Sequence, residues 1–349
     1  MNNEPITVSV IIPMRNEERY IGRCLNSVLE NDYPKQQIEI LVADGRSTDR
    51  SREIVAEIAR RDPQVKLIDN GRLVVPTGLN AAIRQAKGRY IIRMDAHAEY
   101  PRNYISACAR ELDKGNADVV GGRLITQPGA TTLAGKAIAL LSQHPFGVGN
   151  SGFRLGWKGR YVDTVPFGAF RREVFDRVGL FREGLIRHQD FEMNSRIRQS
   201  GGKIFLSPDI SLTYYNLPSI PKLFRRAFRD GLWVGRAWVR YPRTFCYRHC
   251  APLALLLALT IPLLLSRVIP FGKDLSLFVA LVYLLLLLAS STHIAVRHGL
   301  RMLTIMPFLF IGFHTVCGTG LLSGLLSAFT ISRDDEKLSS TPHSVAEAA

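Results

Sequence analysis

Cysteine is scarce in this chain and irregularly spaced. The sequence holds five cysteines, an odd number, spread along its whole length: Cys24, Cys108, Cys246, Cys250 and Cys317. This pattern argues against a disulfide framework, which small secreted domains build from an even set. Cys246 and Cys250 lie four residues apart beside His249. A metal site formed by these two cysteines is an open alternative, although two ordinary cysteines near a membrane surface are the simpler explanation.

Two phosphate-binding signatures are also missing. No stretch fits G-x-x-x-x-G-K-[ST], and no G-x-G-x-x-G follows the first strand-like segment. P-loop enzymes and dinucleotide-dependent enzymes are therefore disfavoured. The first twelve residues lack the charged n-region and the cleavage site of a secretory signal. We therefore expect residues 1 to about 245 to be cytosolic.

Charge is absent from three stretches in the last third of the chain. Residues 251–265 carry none, and residues 275–296 and 303–331 contain no Asp, Glu, Lys or Arg. The second and third stretches are long enough to cross a hydrocarbon core of roughly 30 Å. The first is short and contains Pro262, so it either spans with help from the following residues or lies partly in the interface. The sequence predicts about three transmembrane helices over residues 251–331, and a flexible tail over 332–349.

The excess of positive charge lies next to these apolar stretches. The formal net charge is +15, and residues 221–250 hold one Lys and seven Arg against one Asp. The positive-inside rule places this segment, and the basic turn at 297–301, in the cytoplasm. If all three stretches span, the tail faces outward. The prediction is thus a membrane protein with several crossings and a cytoplasmic domain of residues 1–218.

Residues 219–250 alternate bulky apolar residues with Arg. This predicts a basic amphipathic segment in the membrane interface, with Trp233 and Trp238 at headgroup depth and Arg near lipid phosphates. A surface helix of the soluble domain is the alternative. The arginines show no aromatic stacking platform on a soluble face, so nucleic acid is not an expected partner. Small residues in "HTVCGTGLLSGLL" (314–326) predict close helix contact.

Strand-like and helix-like segments alternate in the first half. Apolar, β-branched runs at 6–12, 37–43, 65–69 and 89–94 are separated by segments with helical periodicity. Short links between them predict an α/β fold, with a mostly parallel sheet and helices on both faces. Ligands of such sheets bind beyond the carboxyl ends of the strands.

Polar and acidic residues gather at those carboxyl ends. The strands are followed by "PMRNEE", "ADGRSTD" and "DAHAEYP". Asp49 resembles an ordinary helix cap, whereas Asp44 and Asp95 directly follow apolar strands and should share one crevice. Asp95 and His97 offer a carboxylate and an imidazole two residues apart, a spacing at which both can bind one metal ion. A structural turn is the alternative for this pair.

Five ordered segments carry a family resemblance: "VSVIIPMRNEERYIGRCLNSVLENDYP", "EILVADGRSTDRS", "GLNAAIRQAKGRYIIRMDAHAEYP", "DTVPFGAFRREVFDRVGLF" and "QDFEMNSRIRQSGGKI". Over residues 6–215 they resemble family 2 glycosyltransferases, which have the Rossmann-like GT-A fold. The segments "RMDAHAEYP" and "HPFGVGNSGFR" are most similar in sequence to succinoglycan-type exopolysaccharide glycosyltransferases.

The resemblance implies roles at the nucleotide side of the site. Pro13 and Glu17 match the first nucleotide-contacting loop, and Asp44 matches the carboxylate that binds uracil. Asp95 and His97 occupy the D-x-D position, which binds the ribose, the diphosphate and a divalent metal, Mn²⁺ or Mg²⁺. His in place of the second Asp is a departure from the common form, and imidazole favours Mn²⁺.

The resemblance also implies roles at the acceptor side. Asp190 in "HQDFE" matches the general base, with Glu192 as its support; a helix N-cap is the alternative for Asp190. Gly168 lies in a segment that lines the acceptor side, or simply permits a close backbone approach. The Q-x-x-R-W motif of processive relatives is absent, which argues against a processive synthase.

The expected function is an inverting glycosyltransferase. It would move a hexose, with glucose as first candidate, from a UDP-sugar to a polyprenyl-diphosphate-linked oligosaccharide during exopolysaccharide synthesis. The resemblance implies a bacterial protein of the inner membrane. Its expected partners are membrane lipids and other enzymes of that synthesis. Two alternatives remain open. One is transfer directly to polyprenyl phosphate, and the other is a membrane-bound nucleotide-sugar scaffold without catalysis.

Overall fold

The computed structural model describes residues 5–157, 159–244, 247–268 and 270–328. These residues divide into two compact units. The first unit contains residues 5–125 and 156–214, and the second contains residues 126–155 and 215–328. Residues 126–155 thus belong with the C-terminal helices, although they lie within the sequence of the first unit. The tail predicted at 332–349 is outside the described residues.

The elements are numbered in chain order. The strands are β1 (Val8–Met14), β2 (Ile38–Asp44), β3 (Val65–Asp69), β4 (Tyr90–Arg93), β5 (Val119–Gln127), β6 (Arg160–Tyr161), β7 (Ala169–Arg171) and β8 (Ile204–Tyr215). The helices are α1 (Ile21–Leu29), α2 (Ser51–Arg61), α3 (Val75–Gln85), α4 (Tyr104–Asp113), α5 (Leu133–Leu141), α6 (Pro145–Val148), α7 (Gly152–Leu155), α8 (Glu173–Val178), α9 (Gln189–Gln199), α10 (Ile220–Arg240), α11 (Tyr247–Leu264), α12 (Gly272–His298) and α13 (Met306–Ala328).

The strands form one eight-stranded sheet in the order β3-β2-β1-β4-β7-β5-β8-β6. Strands β1 to β4 are parallel and alternate with α1, α2 and α3. The α/β prediction is therefore confirmed. Strand β7 is antiparallel to its neighbours β4 and β5, and β6 is antiparallel to β8. The part of the sheet that runs from β4 to β6 therefore contains antiparallel pairs, and the sheet as a whole is mixed.

Burial explains the apolar runs of the central strands. Every residue of β1 and β2 is buried, as expected for parallel strands that are covered on both faces. In α1 the buried residues are Ile21, Cys24, Leu25 and Val28, which lie on one face of a helix. The carboxyl ends of β1, β2 and β4 are thereby fixed by a rigid core.

One acidic side chain, Glu39 on β2, lies inside this core and is 2% exposed. Its carboxylate accepts hydrogen bonds from Ser9 Oγ (2.7 Å), from the Lys87 backbone N–H (2.6 Å) and from Lys66 Nζ (2.9 Å). Burial raises the pKa of Glu39, but the hydrogen bonds from Lys66, Ser9 and Lys87 outweigh it and hold the pKa below its ordinary value. The ionised form is the one that the fold stabilises.

We expect Glu39→Gln to lower the free energy of unfolding by about 1–3 kcal/mol at pH 7, since charge-assisted hydrogen bonds are lost. The folded pKa lies below the unfolded value, so the contribution of Glu39 is complete above that value and is lost as the pH falls through the folded pKa. The difference between wild type and variant should therefore shrink below pH 4.5. Thermal unfolding of the full chain in detergent measures it. Glu57→Gln, which breaks an exposed pair with Arg61, is the matched control, and equal stability of Glu39→Gln and wild type at pH 7 would refute the argument.

The second unit contains three helical segments that are long and apolar enough to cross a membrane: Arg248–Arg267, Gly272–His298 and Met306–Ala328. They coincide with the three uncharged stretches of the sequence. The first includes both Pro252 and Pro262 within α11.

Helix α10 packs tightly along α13 through glycine. A Cβ at Gly231 or Gly235 of α10 would collide with the α13 backbone at Cys317 or Leu321. A Cβ at Gly320 of α13 would likewise collide with the α10 backbone. The close helix contact predicted from the small residues of 314–326 is confirmed.

Candidate active site

Five residues other than glycine have a positive φ among those the structure describes: Asn16 (56°), Arg46 (51°), Leu73 (69°), Phe167 (47°) and His188 (60°). Three of them lie two to four residues after the ends of β1, β2 and β3, and the others lie shortly before β7 and α9. Left-handed backbone of this kind costs on the order of 1–3 kcal/mol per residue and clusters at functional sites. The positions of these five residues mark the loops around the carboxyl edge of the sheet.

The loops after β1 and β2 are bonded to each other. The Asn16 side-chain oxygen accepts a hydrogen bond from the Thr48 N–H (2.8 Å), and the Asn16 N–H donates to Ser47 Oγ (3.0 Å). The Glu17 N–H donates to Ser51 Oγ (2.7 Å). These hydrogen bonds between the two loops hold the first predicted nucleotide loop in place. Sequence reasoning missed Asn16, although Asn is one of the few residues that adopt this conformation readily.

Asp44 ends β2 with a fully buried side chain. Its carboxylate accepts hydrogen bonds from Ser47 Oγ (2.6 Å) and N–H (3.2 Å), and it pairs with Arg52 Nη1 (2.9 Å). Arg52 also contacts Asp69 at the end of β3 (3.3 Å). Asp44 therefore ties two strand ends together. If uracil binds at Asp44, it would bind a carboxylate that already accepts hydrogen bonds from Ser47 and pairs with Arg52.

Arg93, the last residue of β4, was not identified from the sequence. Its guanidinium is 6% exposed; Nη2 lies 3.3 Å from Asp95 Oδ1, and Nη1 pairs with Asp190 Oδ1. The group also lies 5.4 Å from the centre of the Phe167 ring. One buried cation thus joins the predicted metal-binding carboxylate to the predicted base. Its Nε is buried without a hydrogen-bond partner among the described residues.

The electrostatics of this bridge favour full ionisation. Burial alone would lower the pKa of Arg93, but the negative charges of Asp190 and Asp95 outweigh burial and raise the pKa above its ordinary value. Arg93 is therefore a permanent cation at the floor of the site. The signal in the sequence was one Arg within the apolar run "YIIRM", because a charge at a buried strand position needs a partner.

His97 is brought to the same place by the turn after β4. Its Nε2 lies 3.9 Å from Asp95 Oδ2, and its Nδ1 lies 3.3 Å from Glu17 Oε1. The hydrogen bond to Glu17 outweighs burial and raises the pKa of His97 to about 9. The imidazole is therefore protonated at neutral pH in this arrangement.

Asp95 and His97 suit a divalent cation that binds together with phosphate. They offer one carboxylate oxygen and one imidazole nitrogen, both of which are ligands for Mn²⁺. Across the described ranges, no group of three His, Cys, Asp or Glu side chains is arranged to hold a metal ion. Ions of this class often take their remaining ligands from substrate phosphates and water. His97 would first have to release its proton.

Asp190 lies in the first turn of α9, and its side chain is 27% exposed. The N-cap of α9 is His188, in the left-handed conformation. The alternative explanation of Asp190 as that helix's N-cap is therefore not supported. Its carboxylate is paired with Arg93 instead and keeps part of its surface open to solvent.

Glu192, the predicted support, is 2% exposed and held by two arginines. It accepts hydrogen bonds from Arg182 Nε (2.7 Å) and Arg196 Nε (2.7 Å), and Arg196 also donates to the Leu180 carbonyl (2.8 Å). These bonds fix α9 against the segment that precedes it. The geometry gives Glu192 a positioning role for the helix that carries Asp190.

Two further predicted residues have clear structural roles. Pro13 is buried in β1 beside Ala43 of β2. The Gly168 carbonyl accepts a hydrogen bond from the Arg93 N–H (3.1 Å), and a Cβ at Gly168 would lie 2.9 Å from Val119. The need for a close approach is therefore sufficient to explain this glycine. Residues 144–154, which include α6 and α7, belong to the second unit.

Two relatives are similar to this chain over most of its length. The dolichyl N-acetyl-α-D-glucosaminyl phosphate 3-β-D-2,3-diacetamido-2,3-dideoxy-β-D-glucuronosyltransferase of Methanococcus voltae is 25% identical over 330 residues, which are 91% of this chain and 97% of the relative. Succinoglycan biosynthesis protein ExoA of Rhizobium meliloti is 28% identical over 247 residues, 70% of this chain and 74% of the relative.

Two solved structures share the fold. The mannosyltransferase of Pyrobaculum calidifontis, in complex with GDP-Man and Mn²⁺, has a TM-score of 0.57 and 20% identity, over 90% of this chain and 88% of that one. Residues 1–349 of TarS from Staphylococcus aureus give a TM-score of 0.50 and 16% identity, over 92% of each chain. Residues 9–179 match the model of Glycosyl transferase family 2. The fifth motif, which contains Asp190, lies outside this range. The resemblance is thus confirmed for residues 9–179, which form a family 2 glycosyltransferase domain, and the chain has the GT-A fold.

Proposed function

We propose that this protein is an inverting glycosyltransferase that moves a hexose, with glucose as first candidate, from a UDP-sugar to a lipid-linked oligosaccharide. The observation that carries this proposal is the Arg93 bridge. It joins Asp95, where the family resemblance puts the donor diphosphate, to Asp190, where it puts the base. The bridge would thereby hold the donor diphosphate site and the base next to each other.

The donor end of the site would bind a nucleotide diphosphate. Asp95 and His97 would hold Mn²⁺ or Mg²⁺, which when bound neutralises charge that develops on the leaving diphosphate. The Pyrobaculum mannosyltransferase, which was solved with GDP-Man and Mn²⁺, supports a metal-assisted nucleotide donor. Arg93 adds a fixed positive charge beneath the same site.

Asp190 would accept the proton of the acceptor hydroxyl. As that oxygen attacks C1 of the sugar, the bond from C1 to the diphosphate oxygen breaks and its electron pair leaves with UDP. Glu192 is buried and held by Arg182 and Arg196, which makes it unsuitable as a nucleophile. We therefore propose a single displacement with inversion at C1, with Asp190 as the base.

The acceptor we propose is an oligosaccharide on polyprenyl diphosphate, assembled at the cytoplasmic face of a bacterial inner membrane for an exopolysaccharide. Three candidate membrane helices follow the domain. The Methanococcus relative is named for a dolichyl phosphate-linked sugar, and the Rhizobium relative for succinoglycan biosynthesis. The first name supports an acceptor that is lipid-linked, and the second supports a role in polysaccharide synthesis. Transfer to polyprenyl phosphate itself is the second candidate.

We expect label from radioactive UDP-glucose to enter the lipid extract of membranes that contain the protein, and to depend on Mn²⁺. Chelation with EDTA should reduce the label to background, and Mn²⁺ should restore it. Asp95→Asn should lower the label by about 10²–10³-fold, since charge stabilisation of the leaving group is weakened. Asp176→Asn, an exposed carboxylate of α8, is the control and should behave as wild type.

Chromatography of the labelled lipid distinguishes the two acceptors. A product with a single phosphate and one sugar would show that the acceptor is polyprenyl phosphate and not an oligosaccharide on polyprenyl diphosphate. Absence of label with every UDP-hexose, in the presence of donor binding, would favour the non-catalytic scaffold.

A further inference from the structure

We propose that α13 does not cross the membrane, despite its length and apolar composition. Helices α10 and α13 would instead lie together as a pair in the membrane surface from which α11 starts, with only α11 and α12 crossing. This inference concerns the second unit alone and does not depend on the reaction.

The hairpin of α11 and α12 defines the two sides of the membrane. The turn between the two helices is short, spanning residues 265–271, and Gly272 packs against the backbone of Pro262 and Ser266. The helices are therefore antiparallel neighbours. It follows that the start of α11 and the end of α12 lie on the same side.

Helix α13 contacts both helices of this hairpin. Its N-terminal part shares a buried cluster with the C-terminal half of α12: Leu287, Ile294, Ala295, Met306, Leu309 and Phe310. Further along, His314 Nδ1 lies 3.0 Å from the Tyr283 hydroxyl near the middle of α12. Gly318 packs against Pro252 and Leu256 near the middle of α11, and Leu321 packs against Leu253. Each of these contacts lies near the middle of a hairpin helix or in the half that is farther from the turn at 265–271.

The main reason for placing this pair in the membrane surface comes from helix α10. Phe224 packs against Gly312, Gly231 against Cys317, and Gly235 against Leu321. Residue numbers rise together in the two helices, so α10 and α13 are parallel and in backbone contact. Arg236 Nε also donates to Ser327 Oγ near the end of α13 (3.1 Å).

A crossing α13 would therefore take α10 across with it. That would bury charged side chains of α10 in hydrocarbon, which is costly: Arg225, Arg226, Arg229, Asp230 and Arg236. It would also carry Arg240, the last residue of α10, to the outer side, against the positive-inside rule, although α11 starts on the inner side at Tyr247. A pair that lies in the surface avoids both conflicts.

The exposed faces identify a lipid surface as the partner. Helix α13 exposes a single stripe at helical spacing: Phe308, Ile311, Thr315, Thr319, Leu322 and Leu326. The apolar core of α13 is 33% buried by protein, against 6% and 17% for the two hairpin helices. The stripe suits the acyl boundary, while the arginines of α10 complement anionic headgroups.

The consequence reverses a prediction from the sequence. With three crossings the C-terminal end of the chain would face outward, but with two it lies on the side from which α11 starts. Side-specific labelling of single cysteines distinguishes these topologies. The five native cysteines of the full chain are replaced by alanine, and one cysteine is added either at Val268, which is 81% exposed in the hairpin turn, or after Ala349.

A membrane-impermeant maleimide should label Val268→Cys in intact cells and the C-terminal cysteine only after permeabilisation. Labelling of the C-terminal cysteine in intact cells would overturn the proposal, as would protection of Val268→Cys, because the hairpin would then not cross. A wild-type chain with a C-terminal epitope tag, treated with protease on spheroplasts, repeats the test without substitutions. The tag should survive until the membrane is opened.

Discussion

Asp190→Asn should lower the rate of sugar transfer by about 10²–10⁴-fold, the usual contribution of a general base. Asn keeps the size of the side chain but cannot take up the acceptor's proton. The binding of UDP should change little, because the proposed donor ligands are Asp95 and His97. The effect should therefore fall on kcat for the acceptor reaction.

Single-turnover transfer from labelled UDP-glucose, together with calorimetric UDP binding, separates these two steps. Glu192→Gln is an informative companion, because Glu192 contacts Arg182 and Arg196 rather than Arg93. It should reduce stability more than chemistry. Equal transfer rates for wild type and Asp190→Asn would remove Asp190 as the base.

Arg93→Met should be nearly as damaging, with a loss of about 10²–10³-fold in transfer. The buried guanidinium is the shared partner of Asp95 and Asp190, and without it the two carboxylates remain close without a counter-charge. Breaking a buried pair of this kind also costs about 3–5 kcal/mol of stability. Arg93→Lys should restore little, because an ammonium is a point charge and cannot bridge both carboxylates as a planar fork does.

The transfer rate per folded molecule distinguishes a role in the site from a purely structural one. Thermal unfolding gives the folded fraction of each variant at the assay temperature, and the transfer rate is divided by this fraction. Arg93→Lys and Arg93→Met should stay slow after this correction, because the bridge between the two carboxylates is lost. A variant that loses stability while it keeps the wild-type rate per folded molecule would show that Arg93 only supports the fold.

The parts of the fold that followed from the sequence are those set by local pattern. Strands β1 and β2 are buried on every residue, so their apolar runs were unambiguous. Strand β7 has only three residues, Ala169–Arg171, and its antiparallel pairing depends on partners distant in the chain. The assignment of residues 126–155 to the second unit likewise rests on contacts that no local pattern records.

The site divides in the same way. Asp95 and His97 stood out because an acidic and an imidazole group follow a strand. Asp190 stood out through the family resemblance, and the structure brings it to Asp95 through Arg93. Arg93 did not stand out, because its importance comes from two carboxylates that are 2 and 97 residues away. Glu192 was predicted to support Asp190, but the turn of the helix directs it to Arg182 and Arg196. Side-chain direction, not residue type, separates the two acids.

The anomeric configuration of the product tests the central claim most directly. If Asp190 acts as the single base of a direct displacement, the α-linked glucose of UDP-glucose must become β-linked in the lipid product. NMR of the purified glycolipid, or its digestion with β- and α-specific glucosidases, determines this configuration. A β-linked product is the predicted result. An α-linked product would contradict the proposed mechanism, since it would require either a second displacement or attack from the same face as the leaving UDP.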